Sequence, residues 1–515
     1  MCQLLHNLHK DLAIIQTKAK MQKLNSFILL LVAGCFISCE NNQSNSNGSQ
    51  VQVPHIMDYL EACQSNGYNG SVLLVRNDSI VLDKGFGLSN KDGSVPNKPQ
   101  TVFDICSVTK QFTGTAILKL AEDKKLQLTD PLSMYFKDLP FDKQNITIHH
   151  LLTHSGGFGH GIGRGDFDHI PEEEYFQELF DTDLLFTPGE KYEYSNAGYS
   201  ILGRIIEIVS GESYERYLQE ELFKPAGMTQ TGYLLPNWDS DLVANEYLYN
   251  VIDKGNHISR YQQDGKIAWP LKANGGINST QEDMYKWYLA LKNNTVLSKQ
   301  STEQLTAAHI LEYEGESSYY GYGWVTFQSD RGTKVITHNG FNGVSYYEFI
   351  WFPEEDALIL FSTNSSTRES SRMPFELEKM LFDEHYKAEP ISKSMVSELL
   401  EFSENYTGDL KFLGEELKRE FGETLNNPSY LNRLSGIYLR NDNINRAVSI
   451  TELNTQLFPD DGNIWDTMGD VYLAAKQNEK AIISYKKALE LRPESGTCFW
   501  CDNSISQLKI LEVNK

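Results

Sequence analysis

The chain of 515 residues carries 46 Lys and Arg against 69 Asp and Glu, a net charge of −23. So acidic a chain excludes nucleic-acid or anionic-membrane binding by charge. Its length predicts about two to four domains, and 40% apolar residues with 27 Tyr and 25 Phe can fill a buried core.

Residues 1–39 end in an apolar run, Phe27 to Cys39, that follows Lys23. The run has the length of a signal-peptide core, too short for a membrane span, and it closes on cysteines rather than an Ala-x-Ala-like site. It reads as a lipoprotein signal with Cys39 lipidated and Cys35 the alternative. That predicts export and a membrane anchor through the N-terminal lipid. Residues 40–54, rich in Asn, Ser and Gln, read as a polar tether.

Ser71–Arg76 and Ile80–Gly87 alternate as a hairpin turning at Asn77-Asp78. Thr101–Cys106 is β-prone, and the spacing of Phe112, Ala116, Ile117, Leu120 and Ala121 predicts a helix over Val108–Lys125. Ser107 falls near that helix's N-terminus, where free N–H groups and the positive dipole end favour a developing negative charge. Lys110, three residues on, shares its face. A serine hydroxyl becomes a nucleophile when a neighbour takes its proton. Lysine can do so once burial or nearby charge lowers its pKa. An N-cap serine followed by a surface lysine would have the same sequence.

His149, His150, His154 and His160 cluster next, but His149 and His150 are adjacent and cannot share a helix face. No carboxylate spacing supports a metal there, so no metal site is expected. Tyr194-Ser-Asn196 follows the turn Phe186-Thr-Pro-Gly189 and precedes a helical pattern, Tyr199–Ser210, that stops at Gly211. A tyrosinate at 194 could take the serine proton and pass it to the leaving group, worth about 10²–10⁴-fold. Asn196 could bond a substrate amide and Lys110. The alternative is that Tyr194 packs and Asn196 caps the helix.

The middle of the chain reads as mostly helical, with strand patterns returning only after Tyr322. His338-Asn-Gly340 follows the strand-like Thr333–Thr337, and further strands are expected at Ser345–Pro353 and Ala357–Thr363. An exposed strand edge here could hold an extended substrate. The N–H of Phe341 could pair with that of Ser107 as an oxyanion hole, each donor being worth about 10²–10³ in rate. A hairpin glycine with a surface histidine is the bland alternative. Each motif recurs elsewhere, at Ser484–Lys487, Tyr430–Asn432 and His154–Gly156, so order and local context carry the weight.

Beyond Lys387–Ser394, residues Trp465, Met468, Gly469, Tyr472, Ala481, Tyr485, Ala488 and Pro493 fit a tetratricopeptide pattern of about 34 residues. Leu431, Leu434, Tyr438, Ala447 and Pro459 fit a looser second copy. Residues 386–427 are expected as linker and helical cap, and 428–515 as repeats that either bind a protein or peptide partner or act as a stabilising appendage. Cys106 reads as a small buried residue. For Cys498-Phe-Trp-Cys501 both a local disulfide and a metal role stay open.

Taken together, Ser107-Val-Thr-Lys110, Tyr194-Ser-Asn196 and His338-Asn-Gly340 resemble the serine β-lactamase and penicillin-binding-protein-like superfamily, in its class C-like branch. Leu151–Gly157, Phe186–Gly189, Pro225–Met228, Gly275-Gly276 and Tyr320–Trp324 also match, so the resemblance covers about residues 55–385. It implies an α+β fold, an antiparallel sheet flanked by helices with a helical lobe, followed here by an all-α repeat unit. It implies Ser107 as acylated nucleophile, Lys110 and Tyr194 as the proton-moving pair, and Asn196, His338, Gly340 and Phe341 as the substrate-binding side. No cofactor is implied. The expected substrate is an ester, an amide or a D-amino-acid peptide. His338 stands where β-lactamases usually carry lysine, which makes β-lactams less favoured. A receptor that is acylated without turnover, and an interaction protein with a vestigial pocket, are the competing expectations.

Overall fold

The computed structural model describes residues 53–263, 265–493 and 497–513. The expected signal region with Cys35 and Cys39, and nearly all of the tether, lie outside the described residues. No helix among the described residues is long and apolar enough to cross a membrane.

The strands used here are β1 (Gly70–Arg76), β2 (Ser79–Phe86), β3 (Asn245–Leu248), β4 (Ile252–Asn256), β5 (Ile310–Leu311), β6 (Tyr319–Tyr320), β7 (Val325–Gln328), β8 (Lys334–Phe341), β9 (Tyr346–Phe352) and β10 (Ala357–Thr363). Among the described residues, eight of them form one antiparallel sheet in the order β5-β6-β7-β8-β9-β10-β1-β2. β1 pairs β10 from Gly70↔Thr363 to Val75↔Leu358, so the first hairpin and the last strands share one sheet. Asn77 and Asp78 turn the first hairpin at φ 49° and 59°, the left-handed region that short polar residues tolerate.

Both faces of the sheet are covered. Leu73, Val75, Ile336, Phe349 and Leu360 face a helical lobe. Val72, Leu74, Ile350, Ile359 and Phe361 face α1 (Val53–Ser65) and the C-terminal helix of this region. That explains why β9 and β10 are buried at all seven positions instead of alternating.

The lobe is built on α2 (Thr109–Glu122), α3 (Ile148–Leu152), α4 (Asn196–Ser210) and α5 (Gln281–Lys292), and α6 (Met373–Phe382) lies on the other face. α2 is buried on almost every side from Thr109 to Leu118. Gly114 allows this, since a Cβ there would lie 2.3 Å from Tyr322 O. The roughly 1 kcal/mol that glycine costs a helix is offset by that close approach. α4 starts three residues earlier than the spacing predicts, with Ser195 as its N-cap, and ends at Gly211 in the left-handed region.

One expectation fails in the middle of the chain. Strands were expected to return only after Tyr322, but the hairpin β3–β4 and the sheet strands β5 and β6 come before it. The hairpin's strands are short and polar, so no alternation marks them.

After residue 386 the chain is helical: α7 (Met395–Asn405), α8 (Leu413–Phe421), α9 (Pro428–Arg440), α10 (Ile444–Leu457), α11 (Gly462–Ala474), α12 (Asn478–Glu490) and α13 (Cys501–Val513). Neighbouring helices pack through small residues. A Cβ on Gly469 of α11 would lie 2.3 Å from the Tyr485 ring of α12. Cys498 and Cys501 form a disulfide, which settles the local question the sequence leaves open.

Candidate active site

Ser107 sits in a single 3₁₀ turn, Cys106–Val108, directly before α2. Cys106 precedes it at φ 50°, a conformation that an L residue adopts only under constraint. The constraint is Asp104, whose Oδ1 accepts from Cys106 N at 2.7 Å. Cys106 itself is buried, with Sγ 3.3 Å from Asp104 Oδ2.

Lys110 is fully buried because it lies one step into the central helix. Its Nζ donates to Asn274 O at 2.6 Å and Asn196 Oδ1 at 2.8 Å, and lies 3.5 Å from Ser107 Oγ. Burial pushes the amine well below its usual range, against smaller opposing pulls from Asp166 and Cys106. A neutral amine has two N–H bonds and one lone pair. The two carbonyl oxygens take both hydrogens, which leaves the lone pair for the serine hydroxyl.

Tyr194 and Asn196 flank the same space from the entry of α4. Lys110 Nζ lies 4.7 Å from the Tyr194 ring centroid. Ser195 fixes the entry, accepting from Gly198 N at 3.0 Å and donating to Gly159 O at 2.8 Å. Capping thus falls to Ser195, and the Asn196 amide is free to meet Lys110. His154 is buried behind Tyr194, with ring centroids 4.4 Å apart, and accepts from Ser195 N at 3.0 Å through Nδ1. It follows directly on the end of a short helix. α3 stops at Leu152 and His154 turns the chain at φ 56°.

β8 forms the opposite wall. It pairs with β9 as far as Phe341 but with β7 only from Thr337 back to Lys334. Residues His338–Phe341 therefore keep one edge unpaired with a strand, beside the serine turn. The approach is close. A Cβ on Gly340 would lie 2.5 Å from Ile105 O and 2.7 Å from Ser107 N. His338 is buried, and burial with the nearby Lys110 pushes its ring down to about 3. The imidazole is neutral near pH 7. Its Nδ1 lies 2.6 Å from Asn339 O, an acceptor, so Nδ1 carries the hydrogen and Nε2 accepts from Tyr320 OH at 2.9 Å. Phe341, the next residue on the strand, packs its ring against the outer core.

The structure thus gathers Ser107, Lys110, Tyr194, Asn196, His338 and Gly340 around one space, with Phe341 next to them. Sequence reasoning missed Asn274, whose carbonyl accepts from Lys110, and the place of His154 against the Tyr194 ring. It also missed a buried cluster under the serine turn, Asp104, Glu246 and His257, whose ligand-type atoms lie within 4.8 Å of one another. Asn342 Nδ2 already sits between the carboxylates, 2.8 Å from Asp104 Oδ2 and 2.6 Å from Glu246 Oε1. Its Oδ1 accepts from Val344 N and Ser345 N, so the amide cannot turn an oxygen toward a cation. Arg260 pairs with Glu246 as well. Asn342 and Arg260 thus already bring donors to its two carboxylates.

Residues 59–377 match the profile of the Beta-lactamase family. The chain belongs to this family. Its superfamily is one of serine hydrolases. The PbpX protein of Bacillus subtilis is 34% identical over 270 residues, which cover 52% of this chain and 64% of that one, less than two thirds of its length. The octameric penicillin-binding protein homologue from Pyrococcus abyssi is similar in structure, with a TM-score of 0.54 at 27% identity over 68% of this chain and 81% of that chain. The penicillin binding protein from Bacillus halodurans gives a TM-score of 0.54 at 27% identity, covering 62% of this chain and 99% of that chain.

Proposed function

We propose that this family member works by acyl-enzyme chemistry at Ser107, hydrolysing an ester, an amide or a D-amino-acid peptide. The observation that carries this is Lys110, buried with its pKa pushed well below the usual lysine range, its amine held by two carbonyl oxygens and 3.5 Å from Ser107 Oγ. In the first step Ser107 Oγ attacks the substrate carbonyl carbon and its proton passes to Lys110. The oxyanion is met by the N–H groups of Ser107 and Phe341. Tyr194 carries the proton on to the leaving group, whose bond to the acyl carbon breaks. Water then repeats the sequence on the ester, releasing the acid and restoring the Ser107 hydroxyl. Asn196 orients both Lys110 and the substrate.

The substrate class follows from His338. A neutral imidazole there offers no positive charge to a carboxylate, which disfavours β-lactams relative to neutral esters and amides. The C-terminal helices are proposed as tetratricopeptide-like repeats that add a protein- or peptide-binding surface, supported by the Gly469–Tyr485 helix crossing. Lipid attachment at Cys39, and with it an exported, membrane-anchored location, remains a proposal from the sequence of residues 21–39.

The test is intact mass after treatment with a serine-directed phosphonate. One adduct on the parent and none on Ser107→Ala supports the mechanism, and no adduct on either contradicts it. Continued turnover of an ester panel distinguishes a hydrolase from a receptor that stops after one stoichiometric burst.

A further inference from the structure

The hairpin β3–β4 reaches two places at once. Its far end, Leu248, Tyr249, Val251 and Ile252, packs into the apolar core of the C-terminal helices. Lys254 Nζ also donates to Asn441 Oδ1 at the end of α9, at 2.9 Å. Its near end lies beneath the active site. Glu246 Oε1 accepts from Asn342 Nδ2 at 2.6 Å, and His257, the residue after β4, places Nε2 3.3 Å from Asp104 Oδ2.

Asn342 directly follows Phe341, and its amide is fixed at both ends. Oδ1 accepts from Val344 N at 2.9 Å and Ser345 N at 2.8 Å, while Nδ2 donates to Glu246 and, at 2.8 Å, to Asp104. Asp104 in turn holds the N–H of Cys106, the residue before Ser107. Asp104 and Asn342 therefore join the two backbone stretches that carry the N–H groups of Ser107 and Phe341. Glu246 brings the hairpin onto the same joint. Hydrogen bonds to carboxylates are short and directional, so they transmit position well.

We infer that β3–β4 is a strut through which the C-terminal helices set the acylation rate of Ser107, with Asn342 and Glu246 as positioning residues for the two oxyanion donors. It rests on the acyl-enzyme mechanism above. Neither residue touches substrate. Each acts by holding backbone donors where charge develops, a placement to which rate is sensitive on a sub-ångström scale. The C-terminal region thereby affects chemistry without supplying a group to it.

The experiment measures phosphonylation of Ser107 in the full chain against reagent concentration, separating the limiting rate constant from the half-saturation concentration. Ile252→Asp and Tyr249→Ala disturb the far end, Asn342→Ala disturbs the joint, and each is also combined with the other site. Each single change is expected to lower the limiting rate about tenfold, with half-saturation kept within about twofold. The double variants are expected to be no slower than the slower single, because both act through one path. Ile252→Val should keep the parental rate. If Ile252→Asp does not fold, Tyr249→Ala decides. Folded far-end variants that react at the parental rate overturn the strut, as do effects that multiply in the doubles. A parent chain that takes no adduct overturns the acyl-enzyme mechanism itself, whereas a labelled parent with unaffected variants overturns the strut alone.

Discussion

Among the Ser-x-x-Lys sequences that the chain carries, Ser107–Lys110 and Ser484–Lys487 both lie on or at helices, and they meet different surroundings. Ser107 and Lys110 open α2, where Lys110 has no exposed surface and two carbonyl oxygens around its amine. Ser484 and Lys487 lie inside α12. Ser484 Oγ bonds back to Lys480 O at 3.0 Å, and Lys487 reaches Glu490 at 3.3 Å with 41% of its side chain exposed. Helical spacing brings both pairs to one face. Lys110 has the burial and the acceptors for its hydrogens that the proposed base requires, while Lys487 is solvated beside a carboxylate.

Lys110→Met should sharpen that contrast most. The limiting phosphonylation rate is expected to fall roughly 10³-fold, while Lys487→Met leaves it unchanged, both read by quenched-flow mass spectrometry. Gly340→Ala comes next. The new Cβ would press on Ile105 O and Ser107 N, so one wall must move, and the rate should drop about 10²-fold with the fold retained by circular dichroism.

A third prediction uses pH. Glu348 lies on β9 opposite Asn339, buried and bonded by Tyr346 OH and Thr337 Oγ1, and burial pushes it up to about 7. The folded state then binds more protons than the unfolded chain between the ordinary glutamate value and about 7. Stability is therefore full at low pH and falls by roughly 3 kcal/mol as pH rises through that window, then levels off. Glu348→Gln should flatten the slope measured by urea unfolding at several pH values. The smallest effect is expected in the C-terminal helices. Gly469→Ala drives a methyl into the Tyr485 ring and should cost about 1–3 kcal/mol of their stability, seen as a lower thermal midpoint.

The sequence made much of this legible. The alternating hairpin at Asn77-Asp78, the strand-like runs near residues 345 and 357 and the amphipathic spacing after Ser107 all mark elements whose buried faces follow a period. The site motifs were legible because the roles proposed for Ser107, Lys110, Tyr194 and Asn196 run through side chains. Asn274 was not, since a backbone carbonyl leaves no trace in residue identity. Nor was β3–β4, whose apolar residues Leu248, Val251 and Ile252 are half-buried against helices about 150 residues away and so show no local pattern. Glu246 and Asn342 are ordinary polar residues until Asp104 is brought beside them.

The most direct test of the central claim is the pH dependence of Ser107 phosphonylation in the full chain, with the adduct located by peptide mapping. A neutral Lys110 must be present before it can take a proton, so its lowered pKa predicts a rate that levels off well below the ordinary lysine value and falls on the acid side. An adduct on Ser107 with that profile is the expected result. A rate still climbing toward the ordinary lysine value of about 10.4, or an adduct on any other serine, would contradict a buried neutral lysine as the base.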